Sequence, residues 1–154
     1  MKQKWLSESN ILTDQSIDTW RDCVRIGGRL LIESDCVESN YIDSMIETVE
    51  KFGPYMIIVP QICLFHGQMK EGVKKTGLSL VVLKDEIVFT DFDNQLIKCA
   101  FVFSAMDGES HLEMLKYLSG LLVDEKLLTL LRNNGSKKEI LSLINELGEK
   151  NEAY

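Results

Sequence analysis

Apolar and polar residues follow helical spacing in the first third of the chain. Over residues 16–34 the apolar positions recur every three or four residues, which predicts a helix with one buried face. A second helix is predicted from its N-cap residue Ser39 to Lys51, with Gly53 and Pro54 ending it. The positions predicted to face the core are Trp20, Cys23, Val24, Gly27, Leu30 and Leu31 in the first helix, and Ile42, Met45, Ile46 and Val49 in the second.

The middle of the chain has the pattern of β-strands. The nearly continuous apolar segment from Tyr55 to Val59 predicts a strand covered on both faces, and His66 lies in the loop that follows and runs to about Gly77. Residues 78–83 and 87–90 form a second β region, interrupted by the polar residues 84–86, and turn residues follow at 90–95. The segment 97–105 is the clearest strand and is predicted to be central.

The last third returns to helical spacing. Helices are predicted over residues 111–122, 124–132 and 136–149, and Ser136 and Glu139 have the spacing of a capping box. Leucines define the apolar face of the first of these helices, namely Leu112, Leu115, Leu118, Leu121 and Leu122. Helices, then strands, then helices again predict an α/β fold, a single domain built on a mixed β-sheet.

Charge and cysteine content exclude several classes of protein. The 154 residues carry a net charge of −7, which argues against nucleic acid and against an anionic membrane surface as partners. The four cysteines are scattered without a CxxC pair, and no secretory signal precedes them, so we expect a cytoplasmic location with reduced thiols. No apolar segment approaches the ~18 residues of a membrane span, so direct membrane insertion is not expected.

Both histidines of the chain stand where a predicted strand ends. His66 follows an apolar segment and precedes Gly67, and His111 lies where the central strand passes into a helix. Ligand sites in α/β sheets are common at such strand ends. If the two imidazoles converge, one can accept a phosphoryl group while the other contacts its oxygen atoms.

Other roles for these histidines remain open at this level. A histidine near apolar residues is often only a packed, hydrogen-bonded side chain. A zinc site would need more ligands than Cys63, His66 and His111 supply. A Cys63–His66 nucleophile pair would need an accessible thiol, and Cys63 stands in an apolar segment that predicts burial. We therefore expect neither a metal nor a cofactor.

Three stretches carry a resemblance to a known family: 37–55, 53–77 with its "GPYMIIVP", "LFHG" and "GVKKTG" motifs, and "SKKEILSLI" at 136–144. Over residues 6–150 the chain resembles the enzyme IIA component (type 2) of the bacterial sugar phosphotransferase system (PTS), of the mannitol/fructose class, and most of all its ascorbate-type branch. Its second histidine also stands where the family has one, 111 − 66 = 45 residues after the first.

The resemblance implies a phosphoryl relay on a mixed sheet with helices on both faces. His66 would accept a phosphoryl group from the phosphohistidine of HPr and pass it to a cysteine of the IIB component, which serves the membrane component IIC. His111 would stay unphosphorylated and stabilise the phosphoryl oxygens. Backbone N–H groups around Gly67 would add further donors, with no metal required.

The chain departs from the family pattern next to the active histidine. Phe65 replaces the usual proline, Gln68 replaces a basic residue, and Asn94-Gln95-Leu96 replaces an Asn-Asp-Pro turn. Because Ile62 and Leu64 already supply inward-facing groups, we expect Phe65 to be at least partly exposed and to contact the partner proteins.

Two other functions fit the same residues. The first is a regulatory binding module that kept the IIA fold and signals through the phosphorylation state of His66. The second is a purely structural domain in which neither histidine is used. The sequence does not determine which sugar a transport system of this kind would carry, nor the oligomeric state.

Overall fold

The computed structural model of the protein describes residues 4–53, 57–68, 72–89 and 95–152. A 3₁₀ turn, Glu8–Asn10, precedes the first strand. The strands are β1 (Ile11–Gln15), β2 (Ile57–Val59), β3 (Gln61–Phe65), β4 (Gly77–Phe89) and β5 (Gln95–Ser104), and the helices are α1 (Trp20–Glu33), α2 (Asn40–Phe52), α3 (Gly108–Leu121), α4 (Glu125–Arg132) and α5 (Lys137–Glu152). Pro54, Tyr55, Lys70 and the first five residues of the turn predicted at 90–95 lie outside the described residues. The last residue of that turn, Gln95, begins β5.

The five strands form one mixed sheet in the order β1-β4-β5-β3-β2. Strand β5 is the middle strand, which confirms the prediction from its apolar sequence. It runs antiparallel to β4 and parallel to β3, with Phe65 paired with Val102. Because β3 and β5 are parallel neighbours, their carboxyl ends reach the same edge of the sheet, and both histidines follow these ends.

Helices cover both faces of the sheet, as expected. One core cluster joins α1 and α2 to one face and includes Cys63, Phe65 and Val102. The other joins α3, α4 and α5 to the opposite face and includes Leu64 and Phe103. Successive residues of β3 and β5 therefore enter different layers, as the alternation of side chains along a strand requires. The apolar sequences of these strands are explained by burial on both faces.

Most helix boundaries agree with the sequence pattern. One exception is the start of α1, at Trp20 instead of the predicted residue 16, because Thr19 caps this helix by accepting the N–H of Asp22. Gly53 follows α2 with φ 76°, a backbone conformation that glycine adopts without strain. Ser136 and Glu139 form the predicted capping box, since each backbone N–H donates to the other's side chain at 3.1 Å. The helix α3 begins at Gly108, three residues before its predicted start, because the Asp107 carboxylate caps it by accepting the N–H of Ser110.

Three predictions about the strands were wrong. The edge strand β1 was missed, since only its first residue, Ile11, is fully buried. A separate strand β3 was missed because Gln61 adopts φ 73°, a conformation uncommon for a non-glycine residue, and reverses the chain into an antiparallel pair with β2. The predicted break at 84–86 is instead a register shift within the continuous strand β4.

Candidate active site

The candidate site lies at the carboxyl ends of β3 and β5. His66 is the first residue after β3, and His111 lies in the first turn of α3, which follows β5. The centroids of the two imidazole rings are 5.0 Å apart, and the ring planes meet at 80°, so the edge of one ring faces the other. The structure thus brings together the two histidines that the sequence placed 45 residues apart.

Phe103 supports both imidazoles from the core. Its ring centroid lies 5.0 Å from that of His66 and 5.4 Å from that of His111. Phe103 itself is completely buried, whereas both histidines are only half-buried. The two imidazoles therefore rest on a fixed aromatic surface and remain accessible from one side.

One ring nitrogen of His66 has a defined partner. Its Nδ1 lies 3.4 Å from the carbonyl oxygen of Gly67. Since a carbonyl only accepts hydrogen bonds, this contact favours the tautomer with the proton on Nδ1 and the lone pair on Nε2. Burial lowers the pKa of His66; the Gly67 carbonyl raises it and the nearby His111 lowers it further. The lowered pKa favours the neutral imidazole, the form in which one ring nitrogen keeps its lone pair.

The loop after His66 lies directly on α2. The Gly67 N–H donates to Tyr41 Oη at 2.8 Å, and the Gln68 N–H donates to Ser44 Oγ at 3.0 Å. A side chain at Gly67 would not fit, because its Cβ would lie 2.8 Å from Ser44 Oγ. The predicted use of the Gly67 N–H as a phosphoryl donor does not agree with this geometry, since that N–H is already bonded to Tyr41.

Tyr41 also connects the loop to the end of β5. Its hydroxyl donates to the carbonyl oxygen of Phe103 at 2.8 Å. Burial raises the pKa of Tyr41 to about 12, so the hydroxyl keeps this proton at neutral pH.

Sequence reasoning missed Tyr41 and Ser44, and it assigned Ile42 and Ile46, both only half-buried, to the core face of α2. The signal was present: Ser44 and Thr48 are polar residues at helical spacing beside the apolar Met45 and Val49.

The predicted exposure of Phe65 was wrong. Phe65 is completely buried, and its ring packs against those of Trp20 and Phe89 at centroid distances of 6.3 and 6.4 Å. Because β3 is covered on both faces, the face opposite Leu64 is also core. Phe65 is therefore a packing residue. It has no exposed surface with which to make the partner contact that we expected.

The alternatives based on Cys63 find no support in the geometry. Cys63 is completely buried in the cluster beneath α1 and α2, whereas His66 rests on Phe103, which belongs to the other layer. Burial raises the pKa of the Cys63 thiol, which opposes nucleophilic use. Within the described ranges, no three His, Cys, Asp or Glu side chains stand close enough to hold a metal ion.

The fold and the paired imidazoles define an α/β protein with a histidine-based candidate site at a sheet edge. The chain belongs to the family described as "Phosphoenolpyruvate-dependent sugar phosphotransferase system, EIIA 2", whose model matches residues 4–147. This family consists of components of a phosphotransferase system. None of the helices in the described part of the chain has the length and apolar character needed to cross a bilayer.

Known proteins resemble the chain along most of its length. The ascorbate-specific PTS system EIIA component of Shigella dysenteriae is 39% identical over 128 residues, which cover 82% of this chain and 83% of the relative. The solution structure of the mannitol-specific cryptic phosphotransferase enzyme IIA CmtB of Escherichia coli has a TM-score of 0.82 and 29% identity, covering 92% of this chain and 96% of that one.

A second similar structure shows the fold alone. It is a complex of enzyme IIA-mannitol with phosphorylated enzyme IIB-mannitol from Escherichia coli, with a TM-score of 0.80 and 23% identity, covering 92% of this chain and 97% of that one. The mannitol-type IIA fold, expected from the sequence, is therefore confirmed.

Proposed function

We propose that this protein carries a phosphoryl group on His66 between HPr and the IIB component of a sugar phosphotransferase system. The observation that carries this proposal is the pair of half-buried imidazoles 5.0 Å apart at the sheet edge, with Nδ1 of His66 on a carbonyl oxygen. This arrangement favours an imidazole with its proton on Nδ1 and places a second imidazole beside it, as a phosphoryl relay requires.

The chemistry is a pair of balanced transfers. In the first, the Nε2 lone pair of His66 attacks the phosphorus of phospho-HPr, and the phosphorus–nitrogen bond to the carrier histidine breaks with its electron pair returning to that nitrogen. In the second, a thiolate sulfur of IIB attacks, and the phosphorus–Nε2 bond breaks with its electrons returning to His66. The transition states are loose, so positioning and charge stabilisation provide most of the catalysis.

His111 is the group best placed to stabilise the transferring phosphoryl oxygens. The two ring centroids are 5.0 Å apart and the rings stand edge to face, so we expect an imidazole N–H of His111 to reach the oxygen atoms of a phosphoryl group on His66. Removing one donor to developing charge typically slows a reaction by about 10²–10³-fold. His111→Ala should therefore still be phosphorylated, but slowly, and should transfer onward slowly.

The protein's direct partners are HPr and a IIB component. The membrane component IIC is a partner only indirectly, through IIB. The exposed apolar side chains of Met106 and Leu112 flank the site and suit a docking partner. We assign the chain to a system of the ascorbate type, because relatives up to 39% identical carry that name. We also propose that residues 6–150 make up the IIA domain.

The test is incubation with phosphorylated HPr followed by mass analysis of the product. Wild type should gain one phosphoryl group that is labile to acid and stable to alkali, and His66→Ala should gain none while keeping its fold. Labelling of the His66→Ala variant would show that another residue is the acceptor. Subsequent addition of IIB separates transport from the regulatory alternative, since a relay component must lose its label to the IIB cysteine.

A further inference from the structure

Two hydroxyl groups of α2 hold the main chain that follows His66. Tyr41 and Ser44 are one helical turn apart on the buried side of the helix, with exposed fractions of 1% and 3%. Their oxygen atoms accept the N–H groups of two consecutive residues, Gly67 and Gln68, at 2.8 and 3.0 Å. The two peptide units after His66 are thus each bound at the N–H to one side chain of the same helix.

The second of these peptide units also contacts the imidazole. The Gln68 N–H and the Gly67 carbonyl belong to one planar peptide group, so fixing the direction of one fixes the other. Ser44 Oγ binds this unit at its N–H, and His66 Nδ1 faces it at its carbonyl oxygen, 3.4 Å away. Ser44 therefore determines where the acceptor for the imidazole proton points.

The first peptide unit is connected through Tyr41 to Phe103, the residue beneath both imidazoles. Tyr41 Oη accepts the Gly67 N–H and donates to the carbonyl oxygen of Phe103, both at 2.8 Å. Phe103 is the residue on whose ring both imidazoles rest. Tyr41 thus fixes the distance between the His66 loop and the end of β5. The space at Gly67 admits no Cβ, since that atom would also lie 3.1 Å from Tyr41 Cε1.

We propose that Tyr41 and Ser44 are positioning residues for His66. By holding the two peptide units that follow it, they keep the imidazole proton on Nδ1 and Nε2 unprotonated and directed at the incoming phosphorus. Neither hydroxyl takes part in the transfer itself. This inference rests on the proposed function for its kinetic consequence, but the tautomer of His66 can be measured without any partner protein.

The test compares Ser44→Ala and Tyr41→Phe with Thr48→Val as the matched control. Thr48 lies on the same buried side of α2, and its hydroxyl donates within the helix to the carbonyl oxygen of Ser44 at 2.8 Å. Each variant removes one buried hydroxyl group from α2, but only the first two remove an acceptor of the His66 loop. Backbone amide spectra establish that each variant is folded.

The primary measurement is the tautomer of His66 from its imidazole ¹⁵N chemical shifts, recorded above the pH of its titration. Wild type and Thr48→Val should show the proton on Nδ1. Ser44→Ala should show exchange between the two tautomers. Tyr41→Phe should show a smaller change of the same kind, because the peptide unit that Tyr41 holds does not contain the carbonyl group that faces Nδ1. An unchanged tautomer in both variants would overturn the proposal.

The second measurement is the initial rate of phosphoryl uptake from phosphorylated HPr. Ser44→Ala and Tyr41→Phe should be slower than Thr48→Val by about 10- to 100-fold, the range for losing a group that orients a reactive side chain. Equal rates in the three variants would also contradict the proposal. A wild-type protein that takes up no phosphoryl group would contradict the proposed function alone, since the tautomer measurement stands independently of it.

Discussion

His66 combines three features at the scale of a single residue: partial burial, a carbonyl oxygen on Nδ1 and a second imidazole nearby. Burial is the largest of the influences on its pKa and lowers it. Lowering the pKa of a nucleophilic imidazole increases the unprotonated fraction at a given pH. The position therefore suits a group that must attack phosphorus near neutral pH.

The titration of His66 gives a prediction with a definite sign. Its midpoint in the folded protein, followed by NMR, should lie below that of a histidine in the unfolded chain. The unfolded state then binds more protons than the folded state. The free energy of unfolding should therefore fall as the pH drops below the pKa of His66 in the unfolded chain. This contribution should stop changing once the pH is below the pKa of His66 in the folded protein. The His66→Ala variant should lack this component. A folded-state midpoint above the ordinary value would contradict it.

The burial of Phe65 gives a second prediction at this scale. Phe65→Ala should lower the free energy of unfolding by about 3–5 kcal/mol, because it leaves a cavity beside the rings of Trp20 and Phe89. The matched control is Phe52→Ala, whose ring is 50% exposed and which should change stability by about 0.5 kcal/mol or less. Urea denaturation measures both, and equal effects would show that the Phe65 ring contributes little to packing.

At the scale of elements, one buried lysine joins three parts of the fold. Lys98 of β5 is only 5% exposed, and its Nζ donates to the carbonyl oxygens of Leu83 and Lys84 at 2.7 and 2.6 Å. It also donates to Asn134 Oδ1, in the connection between α4 and α5. These bonds satisfy carbonyl groups where β4 loses its regular pairing with β5.

Lys98→Met should therefore destabilise the protein although it adds apolar character to a buried position. It leaves carbonyl acceptors without a partner, at a cost of about 1–3 kcal/mol for each group that stays buried. Lys126→Met changes an exposed lysine of α4 and should alter the free energy of unfolding by no more than about 0.5 kcal/mol. Thermal or urea unfolding compares the two variants. If Lys98→Met leaves the free energy of unfolding unchanged, water replaces the ammonium group.

At the scale of the whole molecule, the surface around the site differs from the two covered faces of the sheet. Leu112 was predicted to face the core, but it is 53% exposed and directly follows His111. Met106, 51% exposed, stands between the end of β5 and α3. Exposed apolar side chains beside a candidate site suit the centre of a transient protein interface.

Leu112→Ser should therefore weaken the interaction with phosphorylated HPr while leaving the fold unchanged. The concentration of HPr that gives half-maximal uptake should rise about fivefold or more, since an interface side chain that matters contributes more than about 1 kcal/mol. Val123→Ser is the control, because Val123 is 77% exposed and lies beyond the other end of α3. Equal half-saturation in both variants would place the partner elsewhere on the surface.

The sequence by itself determined the layered α/β class, the central strand β5 and most helix boundaries. These features depend on periodicity, capping and apolar content, which act over a few neighbouring residues. It also singled out His66 and His111, because each follows a strand and the resemblance gave both a role. Motif spacing thus located the two histidines of the candidate site without any knowledge of their distance in space.

Only the tertiary structure decided how those residues are held. The burial of Phe65 depends on α1 covering the second face of β3, and the bonds from Tyr41 and Ser44 join α2 to a loop more than twenty residues away. The reversal at Gln61 likewise depends on pairing between β2 and β3. Local patterns fix which face of an element is apolar, but they do not fix which partner covers it. That choice is made by packing between elements distant in sequence, and here it determines the geometry of the site.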